Sequence, residues 1–198
     1  HHRKLRPTFT EQMIWAQGDG AGLQAVETAV GRVGGLVCWE HWMPLARAAM
    51  HAKMEVLHVA QWPAVRDLHQ VASRHYAFEG QCFVMAAGCV LSRGQIINGF
   101  HSLNRPDNPA IDLLETMPGE KDTLFLNGGS CIILPDSEYL AQPLFDKEGI
   151  IYGDIDPRLI TEGHLTLDTN GHYSRPDVFR LEINDQPQVN TVWKSDTE

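Results

Sequence analysis

An α/β fold is what the sequence predicts, with layers of sheet and helix stacked on each other. Three observations predict it. Short apolar stretches recur at 31–38, 55–62 and 81–91. Stretches of helical spacing, 45–54 and 64–80, lie between them. Glycine and proline punctuate the joins, and strand alternating with helix is the α/β pattern.

The elements follow in order. "GRVGGLVC" (31–38) places an apolar run after a glycine-rich turn and reads as a short buried strand. Pro44 suits the first turn of a helix. "LARAAMHAKM" (45–54) follows with strong helix formers, and Leu45, Ala48, Ala49 and Ala52 share one face. "EVLHVAQW" (55–62) alternates, is rich in valine and stops at Pro63, so it reads as a strand. In 64–80, Val65, Leu68, Val71, Ala72 and Tyr76 stand at helical spacing before Gly80, a stop signal. "QCFVMAAGCVL" (81–91) is nearly all apolar and reads as a strand buried on both faces. Residues 92–127 read as loop-rich. Three further short strands are expected at 128–135, 138–144 and 149–156. From about residue 185 the composition turns polar, and 186–198 is expected to be a tail.

Composition limits the function. The 198 residues suffice for one sizeable core. A net charge of -9 argues against a nucleic-acid backbone or an anionic membrane as partner, since both need basic patches. The apolar runs fall short of the roughly 18 residues of a membrane span, and the opening residues lack the pattern of a signal peptide. Cys38, Cys82, Cys89 and Cys131 form no CxxC pair. They are expected to be reduced thiols in a cytoplasmic protein, with Cys82, Cys89 and Cys131 acting as small buried hydrophobes. The chain opens on His1, and "HHRKLRPTFTE" already reads like the interior of a protein, so an N-terminally incomplete fragment is expected.

The chemistry centres on Cys38. A thiol at the end of a buried strand and the entry to a helix sits where α/β folds place their sites, and a nearby helix N-terminus or ammonium favours its thiolate. Placement alone favours an inert buried cysteine, the commonest state of the residue. Lys4 and Glu11 lie upstream, and their spacing alone carries little. The histidines show no metal-ligand spacing such as HExxH.

Several motifs in order add to this. "HRKLRPTFTE", "WAQGDGAGL", "GRVGGLVCWEHWMPLARAAM", "HVAQWP", "RHYAFEGQCFV", "GGSCIILP" and "GHYSRPDVF" together resemble the nitrilase branch of the carbon–nitrogen hydrolase superfamily. The resemblance covers nearly all of the chain except the tail. It implies that Lys4, in Arg3-Lys4-Leu5-Arg6-Pro7-Thr8, is the catalytic lysine. It implies that Cys38, after Gly34-Gly35-Leu36-Val37, is the nucleophile and that Glu11 supports the lysine. Cys38-Trp39-Glu40-His41 is similar to true nitrilases and cyanide-hydrolysing relatives, where amidases usually carry Cys-Tyr-Asp.

The implied fold is a four-layer α-β-β-α sandwich whose first strands are missing here, with the carbon–nitrogen hydrolase domain over 1–185. The implied reaction takes a small-molecule nitrile to a carboxylic acid and ammonia through a thioimidate and a thioester, with no cofactor and no metal. An amidase, a cyanide hydratase and a non-catalytic scaffold are the alternatives. The family's glutamate base lies upstream of the lysine, and Glu11 does not match its place. Trp39, Glu40, His41 and Trp62 are expected to contact substrate, with helix capping open for Glu40 and a core role open for Trp62 and for His58. A homo-oligomer, from a dimer to a spiral or filament, is also implied.

Overall fold

The computed structural model describes residues 1–188; the expected polar tail falls mostly on 189–198, outside the described residues. The strands are β1 (Val26–Thr28), β2 (Gly31–Val37), β3 (Leu57–Gln61), β4 (Phe83–Ala87), β5 (Val90–Ser92), β6 (Leu124–Ile133) and β7 (Tyr139–Phe145). The helices are α1 (Pro44–His51), α2 (Asp67–Gly80), α3 (Arg93–His101), α4 (Ala110–Glu115) and α5 (Arg158–Thr166). The α/β class stands as the sequence predicts.

The strands form one mixed sheet in the order β1-β2-β3-β4-β6-β5, with β7 also paired to β6. β2, β3 and β4 are parallel and joined by α1 and α2; Gly34 pairs with His58 and His58 with Val84. Side chains alternate across a strand. Leu36, Ala60, Val84 and Ala86 therefore share one face, and they form the core with Ala46, Ala49, Met50, Ala72, Tyr76 and Ala77 of α1 and α2. Gly34 is needed here: a Cβ would stand 1.8 Å from the Glu55 carboxylate and 2.8 Å from Met50.

Several local expectations need correcting. The run 81–91 is two strands, broken at Gly88, where a Cβ would meet the Gly128 carbonyl. It is buried on one face only, since Met85 is 39% exposed on the other. The interval 92–127 holds α3 and α4; the Ser92 hydroxyl caps Gln95 and the Asn108 side chain accepts from the Ala110 N–H. Residues 149–156 form no strand, and Ile150 and Tyr152 lie exposed. Cys89 is exposed rather than buried, because it lies in the turn between β4 and β5; all four cysteines are free. Among the described residues no helix is long and apolar enough to cross a membrane.

Candidate active site

β2 delivers its last residue, Val37, to the sheet's C-terminal end, and the chain then turns sharply. Cys38 opens a 3₁₀ turn, Cys38–Trp42, with φ at 56°. That left-handed conformation is uncommon for a residue with a Cβ and costs roughly 1–2 kcal/mol. Surrounding contacts must hold it.

Two neighbouring side chains do so. The Glu40 carboxylate is buried and accepts from the Val37 N–H at 2.6 Å, the Leu5 N–H at 2.6 Å and His2 Nε2 at 2.9 Å. It thereby ties the residue before Cys38 to the residue after Lys4. His2 also donates from Nδ1 to the Gly22 carbonyl, so both ring nitrogens are donors and the ring is an imidazolium. The Glu40 bond raises the His2 pKa above 6.5 against the opposing effect of burial. Burial works to raise the Glu40 carboxyl, but the bonds from His2, Leu5 and Val37 outweigh it and hold it below 4.5. The second support is His41, whose Nδ1 lies 2.7 Å from the Cys38 carbonyl oxygen.

Lys4 is held separately. Its ammonium donates to Thr8 Oγ1 at 2.7 Å and to Glu11 Oε2 at 2.8 Å. Glu11 also accepts from the Thr8 N–H, and the Lys4 and Thr8 bonds lower its pKa. Burial pushes the Cys38 thiol up, and on balance it stays above its usual range although the Lys4 charge and the Trp39 backbone N–H pull it down. Lys4 and Glu11 line a cleft of about 250 Å³ with Arg3, Pro7, Trp15 and Ala16. A larger hollow of about 660 Å³ beside Phe100 and Ile111 brings together none of these three residues.

The structure thus joins Lys4 to Glu11 directly and sets Cys38 within range of both charges. Of the four residues expected to contact substrate, only Trp39 reaches the surface, at 55% exposure. Glu40, His41 and Trp62 are interior, which corrects that expectation. Glu40 spends its carboxylate on backbone donors. His41 bonds to Cys38 and His58, and Trp62 stacks on His41 and donates to Ser73. Sequence reasoning missed His2, Thr8 and Glu55. The only signal for Thr8 was its place in the lysine motif. His2 and Glu55 act over long sequence separations that no local pattern records.

Similarity to known proteins fixes the family of the chain. The carbon-nitrogen hydrolase family model matches residues 1–164. A nitrilase of Paraburkholderia phymatum is 38% identical, over 96% of this chain and 53% of its own length. Nitrilase 1 of Arabidopsis thaliana is also 38% identical, over 100% of this chain and 55% of its own. The chain therefore spans about half the length of the curated relatives it matches. A carbon-nitrogen hydrolase from Helicobacter pylori G27 shares the fold with a TM-score of 0.63 at 21% identity, over 83% of this chain and 55% of that one. Saccharomyces cerevisiae Nit3 follows at 0.60 and 19%, over 87% and 54%. With most of its length matched by the family's own pattern, the chain belongs to the carbon-nitrogen hydrolases.

Proposed function

We propose that the protein acts as a nitrilase, converting an organic nitrile to a carboxylic acid and ammonia. The observation that carries this is Cys38 at the sharp turn after β2, tied through Glu40 to the segment that holds the Lys4 ammonium against Glu11. The identity to relatives named as nitrilases supports the choice of substrate class over an amide.

The residues suit the reaction. A nitrile carbon is a modest electrophile and needs a strong nucleophile, which a thiolate supplies. Loss of the Cys38 proton to a base precedes attack. The new S–C bond pushes an electron pair onto nitrogen, and protonation there gives the thioimidate. Lys4 and the Trp39 N–H stabilise the growing negative charge. Water adds to the same carbon, the C–N bond breaks and ammonia leaves. A second water cleaves the resulting thioester to the acid and regenerates Cys38. Glu11 and Thr8 fix the ammonium. The general-base role belongs, by the resemblance, to a glutamate upstream of Lys4, and none of residues 1–198 is assigned it.

Four free cysteines fit a reducing, cytoplasmic setting. The outward apolar residues of α1 and α2 fit a homo-oligomer. Ammonia release from an aromatic nitrile is the test. Turnover that falls to background in Cys38→Ala supports the nitrilase reading. Turnover of amides alone moves the protein to the amidase reading. A folded protein inert on nitriles, cyanide and amides leaves the scaffold.

A further inference from the structure

Behind Cys38 lies a line of buried polar groups that the reaction steps above do not use. The Tyr76 hydroxyl donates to Glu55 Oε2 at 2.6 Å. The same carboxylate lies 3.0 Å, by Oε1, from His58 Nδ1. His58 Nε2 lies 3.1 Å from His41 Nε2, and His41 Nδ1 lies 2.7 Å from the Cys38 carbonyl oxygen. Glu55, His58, His41 and Tyr76 are all buried. The rings are clamped as well: Tyr76 stacks on His58 at 3.7 Å and Trp62 on His41 at 4.6 Å. Four polar groups in an apolar core are expensive unless each is satisfied.

Counting protons fixes the direction of this line. The Cys38 carbonyl can only accept, so His41 Nδ1 must carry a hydrogen. His41 is kept neutral by burial and by His58, which push its pKa down to about 3. Its Nε2 is therefore a lone pair, and His58 Nε2 must donate to it. Three hydrogen bonds in series, from Glu55 to the Cys38 carbonyl, need three protons. Two neutral imidazoles supply only two. The third lies between Glu55 and His58 Nδ1, as a carboxylic acid facing imidazole or a carboxylate facing imidazolium. Both forms carry no net charge, which is the condition a buried site tolerates. Without the acid at position 55 nothing holds His58 as the Nε2–H donor to His41, and the link from the core to the Cys38 carbonyl loses its anchor.

We propose that Glu55, His58 and His41 form a positioning relay that sets the Cys38–Trp39 peptide and thereby the reactivity of the Cys38 thiol. The peptide is the link. Its carbonyl receives the hydrogen bond from His41, and its N–H, on Trp39, is the backbone donor that draws the Cys38 thiol toward its ionised form. A hydrogen bond accepted at a peptide oxygen strengthens the donor at the same peptide's nitrogen. It also pins the left-handed turn at Cys38. Gly34 serves the same end, since any side chain there would displace the Glu55 carboxylate. The relay deepens the nitrilase reading, and its consequence for turnover rests on that reading; its consequence for the thiol does not.

The test combines ring-nitrogen NMR of ¹⁵N-histidine-labelled protein with the rate of Cys38 alkylation by iodoacetamide, followed by intact mass. Two variants are informative. Glu55→Leu removes the partner that fixes the His58 tautomer while filling the space. Glu55→Gln restores it, because the amide donates to His58 Nδ1 and its oxygen still accepts from Tyr76. The relay requires His41 as the Nδ1–H tautomer in the unsubstituted protein. It requires alkylation at neutral pH to fall about tenfold in Glu55→Leu, the equivalent of one pKa unit at the thiol, and to recover in Glu55→Gln. A His41 ring protonated at Nε2, or a folded Glu55→Leu protein with unchanged Cys38 reactivity, overturns the relay. If Glu55→Leu does not fold, the tautomer and the Glu55→Gln rate still decide. Correct tautomers and rates in a protein without nitrile turnover would sink the nitrilase reading and leave the relay standing.

Discussion

Glu40 illustrates how residue type and residue role come apart. A carboxylate two positions after a nucleophile invites a substrate contact. Here it accepts from three donors, the Val37 and Leu5 N–H groups and His2 Nε2, and joins two backbone segments. Replacing it by Gln puts an N–H donor against donors and is expected to cost about 3 kcal/mol, the penalty of breaking a buried charged pair. The cost depends on pH. The Glu40 pKa lies below 4.5 when folded, so its contribution is full above 4.5 and fades as pH falls through the lowered value. The His2 pKa lies above 6.5, so its contribution is full below 6.5 and fades as pH rises through the raised value. Denaturant midpoints of the unsubstituted and Glu40→Gln proteins should differ most between pH 4.5 and 6.5. A difference that does not vary from pH 3 to 9 would contradict this clamp. Cys38, Lys4 and Glu11 were legible as residues because their motifs are local. The inward turn of Glu40 and His41 was not, because which way a side chain points after a sharp turn depends on φ at Cys38.

At the scale of elements, the strand–helix–strand rhythm from β2 to β4 was legible because each period runs for at least a whole turn or several alternations. Which face of each helix is buried was not. In α1 the interior residues are Ala46, Ala49, Met50 and His51, while Leu45 is 69% exposed. In α2 they are Gln70, Ala72, Ser73, Tyr76 and Ala77, while Leu68 is 70% and Val71 56% exposed. Polar residues face inward because they have partners there. Gln70 donates to the Val65 and Gly129 carbonyls, and His51 meets Glu79, whose pKa falls to about 2 as the His51 and Arg47 bonds outweigh burial. The displaced leucine and valine then form an outward apolar strip. Exposed among the described residues, this strip suits the interface of the homo-oligomer proposed above. Leu68→Glu should shift the protein toward a smaller species on size-exclusion chromatography while leaving its circular dichroism unchanged. Retention of the original assembly would place the interface elsewhere.

The molecule as a whole is a sheet body with a docked N-terminal segment. Among the described residues, the chain before β1 contributes no strand. It is fastened by the bonds to Glu40 and by burial of Leu23. The other face of the body, with Val33, Val37, Val59 and Met85, is only partly covered; in a four-layer arrangement that face is the one that meets the second sheet. Local opening costs less free energy than global unfolding wherever few contacts must break. Backbone amides of residues 2–25 should therefore exchange hydrogen faster than those of β3 and β4, and Glu40→Gln should widen the gap; uniform protection would show the segment to be part of the body. Cys38 and its support belong to the body, whereas Lys4 and Glu11 belong to the segment. Heat or mild acid could then silence the protein reversibly while leaving it folded, simply by letting the ammonium drift away from the thiol it serves.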